Sequence, residues 1–116
     1  MNPTLARRIA ALFGVLAVAI GAFGAHGLKP LLEQNGTAAT WEKGVIYHLA
    51  HAVALLTLAL QPTVFKVPFV AFSLGITIFS GSLYLLAVTN QHWWGAITPI
   101  GGISFIVGWV CLGLKR

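Results

Sequence analysis

Four long apolar runs, separated by short polar segments, account for most of the chain. They lie at about residues 6–26, 43–61, 67–88 and 94–114. Each run is long enough to form a helix across the hydrocarbon core of a bilayer, which is roughly 30 Å thick. The pattern therefore predicts four transmembrane helices.

The segments between the runs contain residues that end or begin helices. Gln61-Pro62-Thr63 ends the second run, because proline does not extend a helix. Pro68 stands in the first turn of the third run, and the polar residues 89–92 end that run. In the longest connection, Gly27 to Thr40, three leucines at helical spacing predict a short helix at the membrane interface.

The first run also resembles a secretory signal, because the basic pair Arg7–Arg8 precedes it and small residues end it. Its apolar stretch is about 17 residues long, whereas the usual signal core has about 7–15. We therefore expect it to remain in the protein as the first helix.

Composition excludes a water-soluble domain. Of the 116 residues, 58% are hydrophobic and 8% are charged, where a soluble domain has about 25% charged residues. Four spans of roughly 20 residues use about 80 residues and leave about 36 for ends and connections. The sequence thus predicts an all-α fold, a four-helix transmembrane bundle that occupies residues 1–116 as a single integral membrane domain.

The net charge of +5 predicts orientation rather than nucleic-acid binding, because the basic residues flank the apolar runs. With the N-terminus inside, five of the seven lie in cytoplasmic segments: Arg7, Arg8, Lys66, Lys115 and Arg116. The other side holds Lys29 and Lys43, beside Glu33 and Glu42. The positive-inside rule then predicts both termini in the cytoplasm. Aromatic residues agree, since Trp41, Tyr47, Trp93 and Trp94 fall at the outer interface and Trp109 near the inner one.

Small residues recur at four-residue spacing in several runs, as at close helix contacts in membranes. The series are Ala6-Ala10-Gly14, Ala17-Gly21-Ala25, Ala71-Gly75 and Ser73-Thr77-Gly81, with Gly101, Gly102 and Gly108 in the last run. Packing within the bundle is the favoured interpretation, and an oligomer face is the alternative.

Polar side chains within the outer halves of the runs form a candidate functional layer. Its members are His26, His48, His51, Ser80, Ser82, Tyr84 and Thr98. Three interpretations are open: a metal or haem site, a proton-linked or solute pathway, and hydrogen bonds that fix the helix register. The third is favoured, and His51 is then expected to bond to Tyr84, Ser80, Thr98 or His26.

Enzyme motifs are missing from the chain. It contains no phosphate-binding glycine loop with lysine, no Gly-x-Ser-x-Gly elbow and no His-Glu-x-x-His, and it has no aspartate. The single cysteine, Cys111, excludes an internal disulfide and is expected to be a small buried apolar residue. The sequence therefore predicts a non-enzymatic protein without a cofactor or metal.

Four motifs, one in each run, resemble a known family. They are Gly21-Ala-Phe-Gly-Ala-His-Gly-Leu28, Trp41 with Tyr47-His-Leu-Ala-His51-Ala, Phe79-Ser-Gly-Ser-Leu-Tyr84, and Ile97-Thr-Pro-Ile-Gly-Gly102 with Gly108-Trp109. The chain is similar in these motifs to domain-of-unknown-function family 423, also called uncharacterised protein family 0382, whose animal relatives include transmembrane protein 256. The resemblance implies a small multi-pass protein of the bacterial inner membrane, and no established activity.

Two functions follow as expectations. The first is a structural or interaction component that contacts membrane lipid and a second copy or another membrane protein. The second is an oligomeric pathway for a small solute or protons through the polar layer.

Overall fold

The computed structural model describes all 116 residues and is entirely helical, which confirms the all-α prediction. The helices are α1 (Pro3–Ala25), α2 (Lys29–Asn35), α3 (Ala38–Ala59), α4 (Lys66–Gly75), α5 (Gly81–Thr89) and α6 (Thr98–Gly113). A π-helical turn, Ile76–Ser80, joins α4 to α5 without a break, and a 3₁₀ turn, His92–Ala96, precedes α6.

Three helical segments are long and apolar enough to cross a membrane: Pro3–Ala25, Lys66–Thr89 and His92–Gly113. The fourth long helix, α3, has 22 residues but includes Glu42, Lys43 and two histidines. The molecule is 48 Å in its longest dimension, enough to reach through a bilayer of about 40–45 Å including its headgroups. The crossing of α3 and the side of the termini stay predictions.

Local signals in the sequence account for most helix ends. The Asn2 side chain caps α1 by accepting hydrogen bonds from the backbone N–H groups of Thr4 and Leu5 at 2.8 and 3.3 Å. Gly36 ends α2 with a φ of 67°, and Asn90 ends α5 with a φ of 55°. Both residue types tolerate the left-handed conformation that stops a helix. The short helix expected between Gly27 and Thr40 is confirmed: it is α2, Lys29–Asn35.

Helix α3 and the continuous α4–α5 segment form the centre of the molecule. Helix α1 packs along α3, while α6 packs along α4 and the π-helical turn. One core cluster joins the start of α1, the end of α3, the start of α4 and the end of α6, through Ala6, Leu58, Phe69 and neighbouring Leu112. A second cluster at the other end joins α2, the start of α3 and the end of α5 through Leu32, Trp41 and Ala87.

Most of the predicted small-residue series pack within the chain. Ala6, Ala10 and Ala17 are buried on α1, which lies against α3. A Cβ added at Gly75 would lie 2.3 Å from the Phe105 ring, and one at Gly108 would lie 2.6 Å from the Phe72 ring. The series Ser73-Thr77-Gly81 does not form a close contact of this kind. Thr77 is exposed, and nothing lies within 4 Å of a Cβ added at Gly81.

Candidate functional site

His48 is buried in the centre of the molecule and hydrogen-bonds to Tyr84. Its side chain is 3% exposed, and its Nδ1 lies 2.9 Å from the Tyr84 hydroxyl oxygen. The Tyr84 ring reaches this position over Gly44, where an added Cβ would lie 2.8 Å from Cε1 of the ring. The glycine on α3 thus makes room for the tyrosine on α5 and fixes the pair.

The other ring nitrogen of His48, Nε2, is buried and makes no hydrogen bond of normal length and angle, although the backbone of Phe13 lies close to the ring. On the α1 side, the ring meets the edge of the Phe13 ring at a centroid distance of 6.1 Å. If Nδ1 accepts a hydrogen bond from the Tyr84 hydroxyl, Nε2 carries an unsatisfied hydrogen. If Nδ1 donates the hydrogen bond, Nε2 is an unsatisfied acceptor. Either state leaves one polar atom of the pair unpaired inside the protein.

His51 is also buried, but both of its ring nitrogens are paired. Nδ1 lies 2.8 Å from the carbonyl oxygen of Tyr47, and the indole N–H of Trp109 reaches Nε2 at 3.0 Å. A carbonyl only accepts, so Nδ1 donates, and Nε2 accepts from Trp109. The ring also stacks on Phe105 at a centroid distance of 3.7 Å. These contacts hold His51 as the neutral Nδ1–H tautomer.

The expectation that His51 bonds to Tyr84, Ser80, Thr98 or His26 is wrong. Residues three apart on a helix differ by about 60° in direction. His48 therefore faces α5, whereas His51 faces α6 and meets Trp109. Trp109 was expected near the inner membrane interface. Its side chain is 50% exposed, but its indole N–H is directed at His51.

The remaining members of the predicted layer form separate contacts between helices. The Ser80 hydroxyl donates to the Gly44 carbonyl at 2.7 Å, and Ser82 and Thr98 share a hydrogen bond of 2.5 Å. His26 is exposed and follows α1, and its backbone N–H bonds to the Phe23 carbonyl. The structure thus places six of the seven residues in four separate hydrogen-bonded contacts between helices. The seventh, His26, is exposed and takes part in none of them.

Further polar side chains that were not selected from the sequence also join helices, among them Asn35, whose amide donates to the Ala87 carbonyl at 3.0 Å. Ser104 on α6 donates to the Ala71 carbonyl on α4 at 2.7 Å, and Thr37 donates to the Ala87 carbonyl at 2.7 Å. The indole N–H of Trp41 donates to the Ile20 carbonyl on α1 at 3.1 Å. Ser104 had a signal in the sequence, since it is a single hydroxyl within an apolar run.

Comparison with known proteins identifies relatives that are named as membrane proteins. The family described as "Protein of unknown function (DUF423)" matches residues 20–102. The UPF0382 membrane protein of Staphylococcus saprophyticus is 45% identical over 108 residues, covering 90% of this chain and 89% of its own. The UPF0382 membrane protein YwdK of Bacillus subtilis is 40% identical over 111 residues, with coverage of 90% and 89%.

The UPF0382 inner membrane protein YgdD of Escherichia coli is 38% identical over 109 residues, covering 89% of this chain and 82% of its own. No solved structure matches the chain. The matched residues include His26, both buried histidines, Tyr84 and Thr98, so the family match contains the whole candidate layer. This protein is a membrane protein and belongs to the DUF423 family, whose curated relatives carry the name UPF0382.

Proposed function

We propose that this protein is a non-enzymatic structural or interaction component of the bacterial inner membrane. The observation that supports this function is the use of the polar side chains: Ser80, Ser104 and Trp109 each join two different helices. Hydrogen bonds of this kind between membrane helices stabilise a fold by about 0.6 kcal/mol on average. In this proposal, the polar side chains hold the helices in one register and take no part in a reaction.

The proposed topology has four crossings and both termini in the cytoplasm. The core cluster at one end contains the start of α1, the end of α3 and the start of α4, so α1 and α3 run in opposite directions. The five basic residues of the predicted cytoplasmic segments all belong to that end, which supports its cytoplasmic location. Helix α3 crosses with its histidines covered by α5 and α6, as intramembrane polar residues generally are.

A second function, an oligomeric proton-linked pathway, is favoured by one observation. Nε2 of His48 makes no hydrogen bond in the structure, so it is the atom of the pair at which a water molecule of such a pathway would bind. The other ring nitrogen, Nδ1, is held by the Tyr84 hydroxyl at 2.9 Å.

The composition of the particle in native membrane tests the first proposal. The protein is extracted with its surrounding lipid in polymer nanodiscs and weighed by native mass spectrometry. We expect particles with more than one polypeptide chain, either a second copy or another membrane protein. Particles that hold a single chain and lipid alone contradict an interaction role.

Proton flux in liposomes separates the two functions. The first proposal expects the same flux with wild-type protein, with His48→Gln and in protein-free vesicles. His92→Gln is the matched control, because His92 is exposed in the 3₁₀ turn. A wild-type flux that His48→Gln abolishes and His92→Gln retains supports the pathway and overturns the first proposal.

A further inference from the structure

Two apolar grooves flank Phe65 at the end of the molecule that carries the five basic residues. The first, of about 340 Å³, lies between the ends of α3 and α6 and is lined by Ala54, Leu58 and Trp109 among others. The second, of about 420 Å³, lies between the start of α4 and the end of α6. Because Phe65 lines both grooves, they form one forked surface.

The second groove has two cations on its rim. Lys66 and Lys115 both line it, together with Val67, Pro68 and Leu114. The ammonium group of Lys115 lies 4.6 Å from the centre of the Phe65 ring. The two side-chain carboxylates of the protein, Glu33 and Glu42, lie on α2 and near the start of α3, at the opposite end. The groove is therefore a cationic site without an acidic side chain nearby.

The start of α4 adds backbone donors at the same place. Helix α4 has no side-chain cap at Phe65, and Lys66 and Val67 occupy its first turn. Free N–H groups at a helix start favour an anion. The two lysines of one groove and this uncapped helix start together favour a phosphate group beside apolar surface.

We propose that the forked surface binds an anionic diacyl phospholipid. Its phosphate lies between Lys66 and Lys115, and its two acyl chains lie in the grooves on either side of Phe65. A phospholipid fits better than a free anion, because the second groove joins the two lysines to apolar side chains and Phe65 connects it with the first groove. Basic pockets between membrane helices are established sites for anionic headgroups. This inference is independent of the proposed function.

Native mass spectrometry of the protein in detergent, titrated with phosphatidylglycerol or phosphatidylcholine, tests the site. Each lysine near a membrane surface contributes about 1 kcal/mol to binding of anionic lipid, which is about fivefold in affinity. We expect wild-type protein to prefer phosphatidylglycerol, and the double variant Lys66→Gln/Lys115→Gln to lose at least tenfold in affinity for it. Binding of phosphatidylcholine should stay unchanged in that variant.

The matched control is Lys29→Gln/Lys43→Gln, which removes the same charge from the other end of the molecule. It should bind phosphatidylglycerol as wild type does. Equal losses in the two double variants overturn the proposal, because the preference would then reflect net charge alone. Because all four lysines are exposed, both double variants should fold. Thermal unfolding of each variant checks this.

A further variant tests the acyl part of the site. Ala54→Trp fills the first groove without a change in charge, and it should weaken binding of phosphatidylglycerol at least threefold while the protein still unfolds cooperatively. Inorganic phosphate at millimolar concentration should not displace the lipid. Complete displacement by phosphate, or full lipid affinity in a folded Ala54→Trp protein, overturns the assignment of a phospholipid.

Discussion

The indole of Trp41 occupies the space that a side chain at Gly24 would need. A Cβ added at Gly24 would lie 2.2 Å from the indole nitrogen, which donates to the Ile20 carbonyl. Gly24→Ala should therefore displace the indole, break this hydrogen bond and destabilise the protein by about 1–3 kcal/mol. Thermal unfolding in detergent measures the change.

Gly14 on the same helix is the matched control, since nothing lies within 4 Å of a Cβ added there. Gly14→Ala should leave stability unchanged or raise it by up to about 1 kcal/mol, because alanine favours helix more than glycine does. Equal melting temperatures for the two variants would show that α1 does not depend on the Trp41 contact.

A double-mutant cycle measures the hydrogen bond between His51 and Trp109. His51→Ala and Trp109→Phe each remove one partner, and their effects should be less than additive by about 0.6–1.7 kcal/mol. His51→Gln should recover part of the loss, since an amide also donates and accepts. The cycle of His51→Ala with Trp93→Phe is the control and should be additive, because the Trp93 indole bonds to Gln91 instead. Additivity in the first cycle would contradict the contact.

At this scale the sequence identifies most of the buried polar side chains, with Thr37 missed and the exposed His26 wrongly included, but it does not identify which of them meet. The i, i+3 spacing predicts that His48 and His51 share one face of their helix, whereas in the structure His48 meets Tyr84 and His51 meets Trp109. Their partners depend on the rotation of α3 against its neighbours, and that rotation is set by close contacts such as Gly44 with Tyr84. The hydrogen bond between His51 and Trp109 joins residues 58 positions apart. Helical periodicity relates only residues within one helix, so it does not predict this contact.

Helix α6 and the π-helical turn approach each other backbone to backbone at Gly101. A Cβ added at Gly101 would lie 2.3 Å from the backbone nitrogen of Phe79 and 2.7 Å from its Cα. Backbone atoms cannot rotate away, so Gly101→Ala should separate the two helices and destabilise the protein by at least about 2 kcal/mol. Gly102→Ala should have little effect, because the nearest atoms are in the Phe79 ring at 3.8 Å. The measured quantities are folded yield and melting temperature, and similar losses for both variants would count against this packing.

Helices stop in the structure at the two polar segments that the sequence marks as breaks, Gln61-Pro62-Thr63 and residues 89–92. Helix α3 begins at Ala38, five residues before the predicted span, because hydropathy detects the apolar part of a helix and not its polar first turns. The π-helical turn from Ile76 to Ser80 was not predicted. One wide turn changes the direction of later side chains but leaves the apolar run intact, so the sequence pattern does not reveal it.

For the whole molecule, the charge distribution and the antiparallel order of the helices lead to one testable topology. Single cysteines, introduced after Cys111→Ala, report the side of each connection. Gln34→Cys lies on α2 and Gln91→Cys precedes the 3₁₀ turn, while Thr63→Cys lies between α3 and α4; all three positions are exposed. With four crossings, an impermeant maleimide should label residues 34 and 91 in intact spheroplasts and residue 63 only after the membrane is opened.

This set of positions tests the crossing of α3 separately from the side of the termini. Residues 34 and 63 flank α3, so labelling of both from the same side would show that α3 does not cross, whatever the orientation. Arg116→Cys reports the C-terminus and should label with residue 63, because α6 and α3 end in the same core cluster. If residues 63 and 116 label in intact spheroplasts while 34 and 91 do not, the four crossings stand and the orientation is reversed. In that orientation the five basic residues would lie outside the cytoplasm, contrary to the positive-inside rule. This outcome would therefore overturn the orientation that we infer from the charges.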